Sequence, residues 1–336
     1  MPKVSVVIPV YKVEPFLRRC VDSVLHQTLT DLDIVLVDDG STDHCPQICD
    51  SYAQQDSRVQ VIHKQNGGLA SARNAGMRAA TGEYLFFLDS DDWIEADGME
   101  TLYQLACRYQ VDFVRYRAIR TGWPGLPEQA PCMLEEPREM PGGYYDKSRI
   151  EKELYPRLLM TNQLTLGPVV GAWGALYKTE FLMKNQLFFS EEIRFSEDVL
   201  FSAQVVYAAN HFYYLDQAGI YHYFYNPASI SKSFRADRWE SCKQLINRCE
   251  QEFSAKSDYD FADQLLRLRW FCILLALGER KFLPKQAERA DYCKKILQDP
   301  VVKGTPLGLD KMDVSWKQKV LIMFCKLNLF PVVSRI

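Results

Sequence analysis

Three carboxylates follow an apolar run in the first third of the sequence, and carboxylates at this spacing can hold a metal ion. Residues 84–88 are all apolar, as in a buried strand, and Asp89, Asp91 and Asp92 come directly after them. Neighbouring carboxylates repel one another unless a cation or solvent offsets their charge. Mg²⁺ or Mn²⁺, which prefer oxygen ligands, would offset it and could in turn hold a phosphate. The cluster therefore indicates a metal and phosphate site, although an ordinary loop or a helix cap would use the same residues.

A second acidic pair, Asp38 and Asp39, ends another apolar run and precedes Gly40 and Ser41. An acid after a buried strand can accept hydrogen bonds from a ribose hydroxyl or from the N–H group of a base. The same four residues would equally form an Asx turn and a helix cap. The pair is a candidate nucleoside-binding site, with this local alternative open.

Residues 66–74 combine glycines with a cation. Asn66, Gly67 and Gly68 precede a helical pattern, and Arg73 lies about one turn inside it. Glycine lets the backbone approach a ligand, a helix N-terminus favours an anion, and a guanidinium can bind a phosphate. The spacing matches neither the dinucleotide-binding GxGxxG pattern nor the P-loop pattern. The alternative is a glycine-rich turn followed by a solvated arginine.

Four further candidates lie later in the chain. Glu197 and Asp198 start a helical pattern, where acids are common because they complement the helix dipole. Either could instead act as a general base toward a hydroxyl group. Trp173 is either a core residue or an aromatic platform for a sugar. His222 is either an ordinary residue of an aromatic strand or a contact to metal or phosphate.

The elements that must position these residues alternate between strand and helix over about the first 110 residues. Predicted strands cover residues 4–10, 33–37, 59–62 and 84–88, and predicted helices cover 14–27, 44–52, 69–80 and 96–109. This alternation predicts an α/β fold with an open, mostly parallel sheet flanked by helices. In such a sheet, ligands bind beyond the carboxyl ends of the strands. Residues 9–11, 38–41 and 89–91 should therefore converge on one edge.

Beyond about residue 110 the pattern changes. Residues 121–145 contain five prolines and predict a loop, and the chain from about residue 237 onward predicts a mostly helical region.

The composition excludes several classes of protein. The chain has 336 residues, of which 47% are hydrophobic and 25% charged, as in a soluble protein of one or two domains. A net charge of −3 gives no basic field for nucleic acid. The ten cysteines lack the spacing of a zinc site, which predicts reduced thiols in a cytoplasmic protein. The N-terminal residues lack the pattern of a signal peptide, and no apolar run approaches the ~18 residues of a membrane span.

Taken together, these segments resemble those of the family 2 glycosyltransferases, inverting enzymes with the GT-A fold, and in particular the bacterial capsule and exopolysaccharide enzymes. The resemblance rests on the order and spacing of residues 6–11, 37–43, 66–74, 87–92 and 197–198. It implies a GT-A-like (Rossmann-like) catalytic domain over residues 1–230, with a nucleotide-sugar half at about 1–110 and an acceptor half at about 145–230. A helical extension would follow over residues 231–336.

The resemblance also implies which residues bind the donor. Pro9, Tyr11 and Asp39 would line the base and ribose of a nucleotide sugar, which in this family is most often a UDP-sugar. Arg73 would contact the nucleotide or its diphosphate. The complete set of implied donor contacts is Pro9, Tyr11, Asp38, Asp39, Asn66, Gly68, Arg73, Asp89 and Ser90.

The implied chemistry is a single displacement that inverts the anomeric carbon. Asp91 would bind Mg²⁺ or Mn²⁺, with Asp89 contributing to the metal site and lying nearer the ribose. Asp198, with Glu197 beside it, would deprotonate the acceptor hydroxyl. Trp173 lies in a stretch similar to the acceptor side of the capsule enzymes.

Two other functions compete with this one. A metal-dependent nucleotidyltransferase also uses an α/β sheet, a metal and an aspartate pair, but residues 11–14 lack the glycine-rich basic loop expected after its first strand. A non-catalytic partner subunit that binds nucleotide sugar would have no need of Asp198.

The expected partners are a nucleotide-sugar donor, a glycan or lipid-linked acceptor, and either a second copy of the chain or a partner glycosyltransferase. Residues 317–326 combine apolar side chains with flanking lysines and could lie on the inner face of the plasma membrane. A helix packed on the catalytic domain fits the same residues. The expected localisation is cytoplasmic, with or without this peripheral contact.

Overall fold

The computed structural model describes residues 1–125, 129–131, 140–167, 171–226 and 234–335. The chain forms two compact units. The first consists of Met1–Lys152, Pro168–Glu191 and Gln204–Asn226, and the second of Glu153–Gly167, Glu192–Ala203 and Pro227–Ile336.

The first unit begins with the predicted alternation of strands and helices. Its elements are β1 (Val4–Val10), α1 (Glu14–Leu25), β2 (Leu32–Asp38), α2 (Cys45–Gln55), β3 (Val59–His63), α3 (Leu69–Ala79) and β4 (Tyr84–Phe87). Each residue of β1 is buried, as expected of a parallel strand that is covered on both faces. Prolines in the first turns of α1 and α2 fit there because the missing N–H group has no helical partner at that position.

The chain then continues through shorter strands and helices. They are β5 (Trp93–Ile94), α4 (Gly98–Tyr109), β6 (Phe113–Thr121), β7 (Gln129–Pro131), β8 (Gly143–Asp146), α5 (Lys147–Glu153), β9 (Ala175–Lys178), α6 (Thr179–Lys184), α7 (Glu197–Ala208) and β10 (His211–Phe224). Two short stretches of the predicted proline-rich loop are therefore strand, β7 and β8. Residues 126–128 and 132–139 of that loop lie outside the described part of the chain.

The ten strands found in the described ranges belong to one sheet, whose main order is β3-β2-β1-β4-β9-β6-β10-β5. From β3 to β4 the pairing is parallel throughout. Beyond β4 the sheet is mixed, because β9 runs antiparallel to both β4 and β6, whereas β10 runs parallel to β6. The α/β fold with a central sheet flanked by helices is confirmed. The alternation of strands and helices did not predict the antiparallel strand β9 and the strands beyond it.

The second unit is helical over its C-terminal part, as predicted. Its helices there are α8 (Arg238–Phe253), α9 (Ala262–Gly278), α10 (Gln286–Leu297), α11 (Pro300–Gly304), α12 (Trp316–Lys326) and α13 (Phe330–Val333). Trp270 is fully buried among them, and a buried ion pair joins Arg238 to Glu279 at 2.8 Å. None of the helices within the described ranges is long and apolar enough to cross a membrane. The predicted domain boundary near residue 230 stays a prediction.

Candidate functional site

The polar strand ends of the first unit meet at one edge of the sheet. Because β1, β2 and β4 are parallel neighbours, their carboxyl ends point the same way. Val10 lies opposite Asp38 in the register, and the Asp39 N–H group donates to the carbonyl of Val10 at 2.9 Å. On the other side of β1, the Leu88 N–H group donates to the carbonyl of Val7 at 3.0 Å. The acids that follow β2 and β4 thus start from the two strands that flank β1.

Asp38 is buried, and each of its carboxylate oxygens has a protein partner. Its Oδ1 accepts a hydrogen bond from the Ser41 N–H group at 2.9 Å, and its Oδ2 lies 3.0 Å from Nδ1 of His63. The other ring nitrogen of His63 lies 3.0 Å from Asp50 Oδ1. Hydrogen bonds to Asp50 and to Asp38 raise the pKa of His63 above its ordinary value. The Ser41 contact is that of the local turn, which the sequence left as an alternative to ribose binding.

Asp39 holds the glycine turn at the start of α3. Its Oδ1 accepts from Lys64 Nζ at 2.6 Å and from the Gly67 N–H group at 2.8 Å, and its Oδ2 accepts from the Gly68 N–H group at 2.8 Å. The Asp39 carbonyl also accepts from the side-chain amide of Asn66 at 2.9 Å. Gly68 has a φ of 87°, a conformation that glycine adopts at little cost. The Lys64 contact was missed from the sequence, because Lys64 belongs to no motif.

Arg73 is buried, with 1% of its side chain exposed, so the alternative of a solvated arginine is wrong. Its guanidinium donates to Asp89 Oδ1 at 2.8 Å and lies 5.3 Å from the ring centre of Phe189. The next residue, Asn74, bonds to both the N–H and the carbonyl group of Phe189 at 2.9 Å. Helix α3 therefore fixes both Asp89 and the chain around Phe189.

The loop after β4 is fastened to the end of β10. The Tyr221 hydroxyl donates to Asp92 Oδ2 at 2.6 Å and accepts from the Asp89 N–H group at 3.2 Å. Asp92 Oδ1 accepts from the Phe224 N–H group at 2.7 Å. The Asn226 amide donates to Asp91 Oδ2 at 3.0 Å. Neither Tyr221 nor Asn226 was predicted, since both lie far from this loop in the sequence.

Burial changes the acidity of this loop. It raises the pKa of Asp91 above its ordinary value, and the Asn226 hydrogen bond lowers it in part. Burial, followed by repulsion from Asp91 and Asp89, raises the pKa of Asp92 well above its ordinary value. Ser90 is buried as well. A cation beside this loop would relieve the repulsion that these carboxylates share.

The donor set suits a hard divalent cation that takes further ligands from elsewhere. Asp89 and Asp91 each use one carboxylate oxygen in the contacts above, and a carboxylate has two. Across the described ranges, no group of three or more His, Cys, Asp or Glu side chains could hold a metal ion by itself. Mg²⁺ is commonly bound by one or two carboxylates plus water and substrate phosphates, so the pair fits an ion of this kind.

Trp173 and His222 are both packed inside the first unit. The Trp173 ring stacks on Tyr221, with ring centres 4.8 Å apart, and its burial favours the core alternative over an open platform. The His222 ring stacks on Trp93, and its nitrogens lie 2.6 Å from Glu95 Oε1 and 3.1 Å from Thr121 Oγ1. Both nitrogens therefore have protein neighbours, as in an ordinary strand histidine.

The remaining predicted residues differ in exposure. Pro9 is buried within β1, whereas the Tyr11 side chain after it is 40% exposed. Glu197 and Asp198 start α7 as predicted, with Glu197 buried and Asp198 half-buried. Both belong to the second compact unit, whereas the strand-end acids belong to the first.

Known proteins are similar to the first part of this chain in sequence and to nearly all of it in fold. Residues 5–161 match the model of the family described as Glycosyl transferase family 2. These residues belong to glycosyl transferase family 2. Glycosyltransferase GlyA of Streptococcus pneumoniae is 36% identical over 176 residues. That match covers 52% of this chain and 24% of GlyA, so the chain spans about a quarter of the length of this curated relative.

Solved structures extend the likeness of the fold to almost the whole chain. TarS 1–349 of S. aureus, in complex with UDP-GlcNAc, superposes with a TM-score of 0.68 at 20% identity and covers 99% of this chain and 90% of that one. The mannosyltransferase PcManGT from Pyrobaculum calidifontis, in complex with GDP-Man and Mn²⁺, gives a TM-score of 0.53 at 16% identity, with coverage of 99% and 86%. The GT-A-like fold predicted from the family 2 motifs is confirmed.

Proposed function

We propose that this protein is an inverting glycosyltransferase that moves a sugar from a UDP-sugar to a hydroxyl of a glycan or lipid-linked acceptor. The observation that carries the proposal is the meeting of Asp39, Asp89 and Asp91 at one sheet edge inside the family 2 region. Nucleotide-sugar complexes of TarS and PcManGT, which share the fold, support a donor of this class. The UDP-GlcNAc complex of TarS favours UDP as the nucleotide.

On the donor side, Pro9, Tyr11 and Asp39 would line the base and ribose. Lys64 would position Asp39, because it lies 2.6 Å from that carboxylate and bears the opposite charge. The remaining donor residues of the proposal are Asp38, Asn66, Gly68, Arg73, Asp89 and Ser90. Since Asp38 and Arg73 are buried and bonded to other side chains, their part would be to hold the site in shape rather than to contact the sugar nucleotide directly.

Asp91 and Asp89 would hold Mg²⁺ or Mn²⁺ at the diphosphate, and the Mn²⁺ in the PcManGT complex supports a divalent ion. When bound, such an ion offsets negative charge on the departing diphosphate. The chain's own contribution there is orientation. Asn226 keeps Asp91 in place, and Arg73 keeps Asp89 in place.

In the transfer step, Asp198 would accept the proton of the acceptor hydroxyl while that oxygen attacks the anomeric carbon. The bond from this carbon to the diphosphate oxygen breaks with its electrons going to the diphosphate, and the anomeric configuration inverts. Glu197 would lie beside the base, and Trp173 would support the acceptor side through its packing on Tyr221. A positioned general base contributes roughly 10²–10⁴-fold to the rate.

The location and the assembly state complete the proposal. The protein would act in the cytoplasm, peripherally on the inner face of the plasma membrane if the acceptor is lipid-linked. It would act as a homo-oligomer or with a partner glycosyltransferase, as expected from the sequence.

The test begins with thermal stability in the presence of nucleotide sugars, with Mn²⁺ and with EDTA. A ligand that binds the folded state raises the melting temperature by mass action. We expect a UDP-sugar to do so in Mn²⁺ and to lose most of the effect in EDTA. The absence of a shift with UDP-, GDP- and dTDP-sugars, from folded protein, would contradict the donor site. A shift with nucleoside triphosphates instead would favour a nucleotidyltransferase.

Turnover of the identified donor is then compared in Asp198→Asn and in a control, Glu192→Gln, which removes an exposed acid of the same unit. We expect Asp198→Asn to lose about 10²-fold or more in turnover while it keeps the donor-induced thermal shift. The control should match the unaltered protein. An Asp198→Asn protein with full turnover would refute the assignment of the base, and a folded protein that binds donor but never transfers it would indicate a partner subunit.

A further inference from the structure

Helix α12 exposes a continuous apolar stripe to solvent. Trp316 is 70% exposed, Met323 is 43% exposed and Leu327 is 65% exposed. Together with the half-buried Val320, they recur every three or four residues, which places them on one face of the helix, with Leu327 as the residue that caps its C-terminus. We name these four residues the α12 stripe.

The opposite face of α12 is already used. Ile322 and Cys325 are buried, with 0% and 1% of their surface exposed, so they pack the helix onto its own unit. A helix needs only one apolar face to pack onto a core. The second apolar face therefore calls for an explanation other than folding. Beyond the helix, Leu329 and Val332 are also exposed, so large apolar side chains are concentrated in this part of the chain.

Lysines border the stripe on its own helix. Lys319 lies three residues after Trp316 and four before Met323, and thus borders the stripe, while Lys317 follows Trp316 with Nζ 5.9 Å from its ring centre. From residue 303 to residue 335 the chain has six lysines and arginines and only two aspartates, although the whole chain has a net charge of −3. The local charge is therefore opposite in sign to that of the protein.

We propose that the α12 stripe binds the surface of a membrane that contains anionic phospholipids. The apolar side chains would enter the boundary between headgroups and acyl chains, where tryptophan is favoured, and the lysines would meet the phosphates. A lipid surface accounts for both features at once, since it offers an apolar layer behind a negatively charged one. The inference assigns a contact surface to the peripheral location in the proposed function, but binding to lipid needs neither the donor nor the transfer reaction.

Sedimentation with vesicles tests the apolar part. The full chain should pellet with phosphatidylcholine vesicles that contain phosphatidylglycerol and far less with phosphatidylcholine alone. The triple variant Trp316→Ser, Met323→Ser, Leu327→Ser should bind at least about tenfold more weakly. A matched control, Phe282→Ser with Leu307→Ser, removes exposed apolar side chains of the same unit and should leave binding unchanged.

The charge is tested separately. Lys317→Gln with Lys319→Gln should weaken binding to the anionic vesicles roughly thirtyfold, because each of the two lysines contributes about 1 kcal/mol of attraction near such a surface. Lys281→Gln with Lys285→Gln makes the same change of net charge elsewhere in the unit and should have little effect. Raising the salt concentration should weaken binding of the unaltered chain for the same reason.

Three outcomes would overturn the inference. The folded chain fails to pellet with either vesicle, or the triple variant and the lysine variant both bind as well as the unaltered chain, or light scattering shows a dimer that the triple variant dissociates. The last outcome would assign the stripe to a second copy of the chain. Each readout is independent of the donor-induced thermal shift, so a failure here leaves the proposed transfer reaction standing, and the reverse also holds.

Discussion

The hydroxyl group of Tyr221 should matter to stability out of proportion to its size. Tyr221→Phe removes one oxygen and keeps the ring, which packs against Trp173 and Phe86. That oxygen donates to the buried carboxylate of Asp92 at 2.6 Å and accepts from the Asp89 N–H group at 3.2 Å. The substitution therefore removes this partner from Asp92 Oδ2 and from the Asp89 N–H group. It creates almost no cavity, because the ring stays.

The expected cost is about 3 kcal/mol in the free energy of unfolding. A buried polar group that loses its hydrogen-bond partner costs roughly 1–3 kcal/mol, and two such groups lose one here. At roughly 2–4 °C per kcal/mol for a unit of this size, the melting temperature should fall by about 6–12 °C. The measurement is thermal unfolding of both proteins, with urea unfolding to confirm that the dependence on denaturant is unchanged.

Tyr144→Phe is the matched control, because the Tyr144 side chain is 41% exposed on the neighbouring strand β8. It should change the free energy of unfolding by less than about 0.5 kcal/mol. If Tyr221→Phe costs less than about 1 kcal/mol as well, the loop after β4 is not held by this hydroxyl, and the account of how the site is fastened fails.

Three further changes test other contacts of the first unit. Since Asp50 and Asp38 raise the pKa of His63, their ion pairs stabilise the fold below the ordinary pKa of 6.5 and are lost as the pH rises past the raised value. The melting temperature of His63→Gln should therefore fall below that of the unaltered protein at about pH 6 and converge with it at about pH 8.5. Asn74→Ala removes two bonds to Phe189 and one to Glu191 and should cost about 2 kcal/mol in urea unfolding, and a loss near zero would contradict its anchoring role. Asp91→Asn should abolish the Mn²⁺-dependent part of the donor-induced thermal shift, and an undiminished shift would remove Asp91 from the proposed metal site.

Much of the first unit could be predicted because its signals are local. An apolar run such as residues 4–10 predicts a buried strand, and the glycines before Leu69 predict the start of a helix. Once four such strands alternate with helices, the parallel order brings residues 38–39 and 89–91 to one edge without further information. Both the fold class and the edge that carries the acids followed from these short segments.

What those acids contact could not be predicted in this way. Asp92 is bound by Tyr221, which lies 129 residues later in the sequence, and Asp91 is bound by Asn226, which lies 135 residues later. Neither partner has a local pattern that marks it, since a tyrosine and an asparagine at a strand end serve many purposes. The antiparallel strand β9 was not predicted either, for a different reason. Its four residues are too few for periodicity to separate strand from helix.

The fastening of the β4 loop to β10 has a consequence for how this chain folds. Residues 5–161 carry the family match, yet the groups that complete the loop lie at positions 221–226. During synthesis, the carboxylates of this loop therefore gain their partners only after more than a hundred further residues have been made. Contacts of such long sequence separation form slowly, because the intervening chain must first be ordered. A nascent or truncated chain that ends before β10 could build the parallel strands, but it would leave Asp91 and Asp92 hydrated and loosely placed. The capacity to bind a donor would thus be one of the last properties that the folding chain acquires.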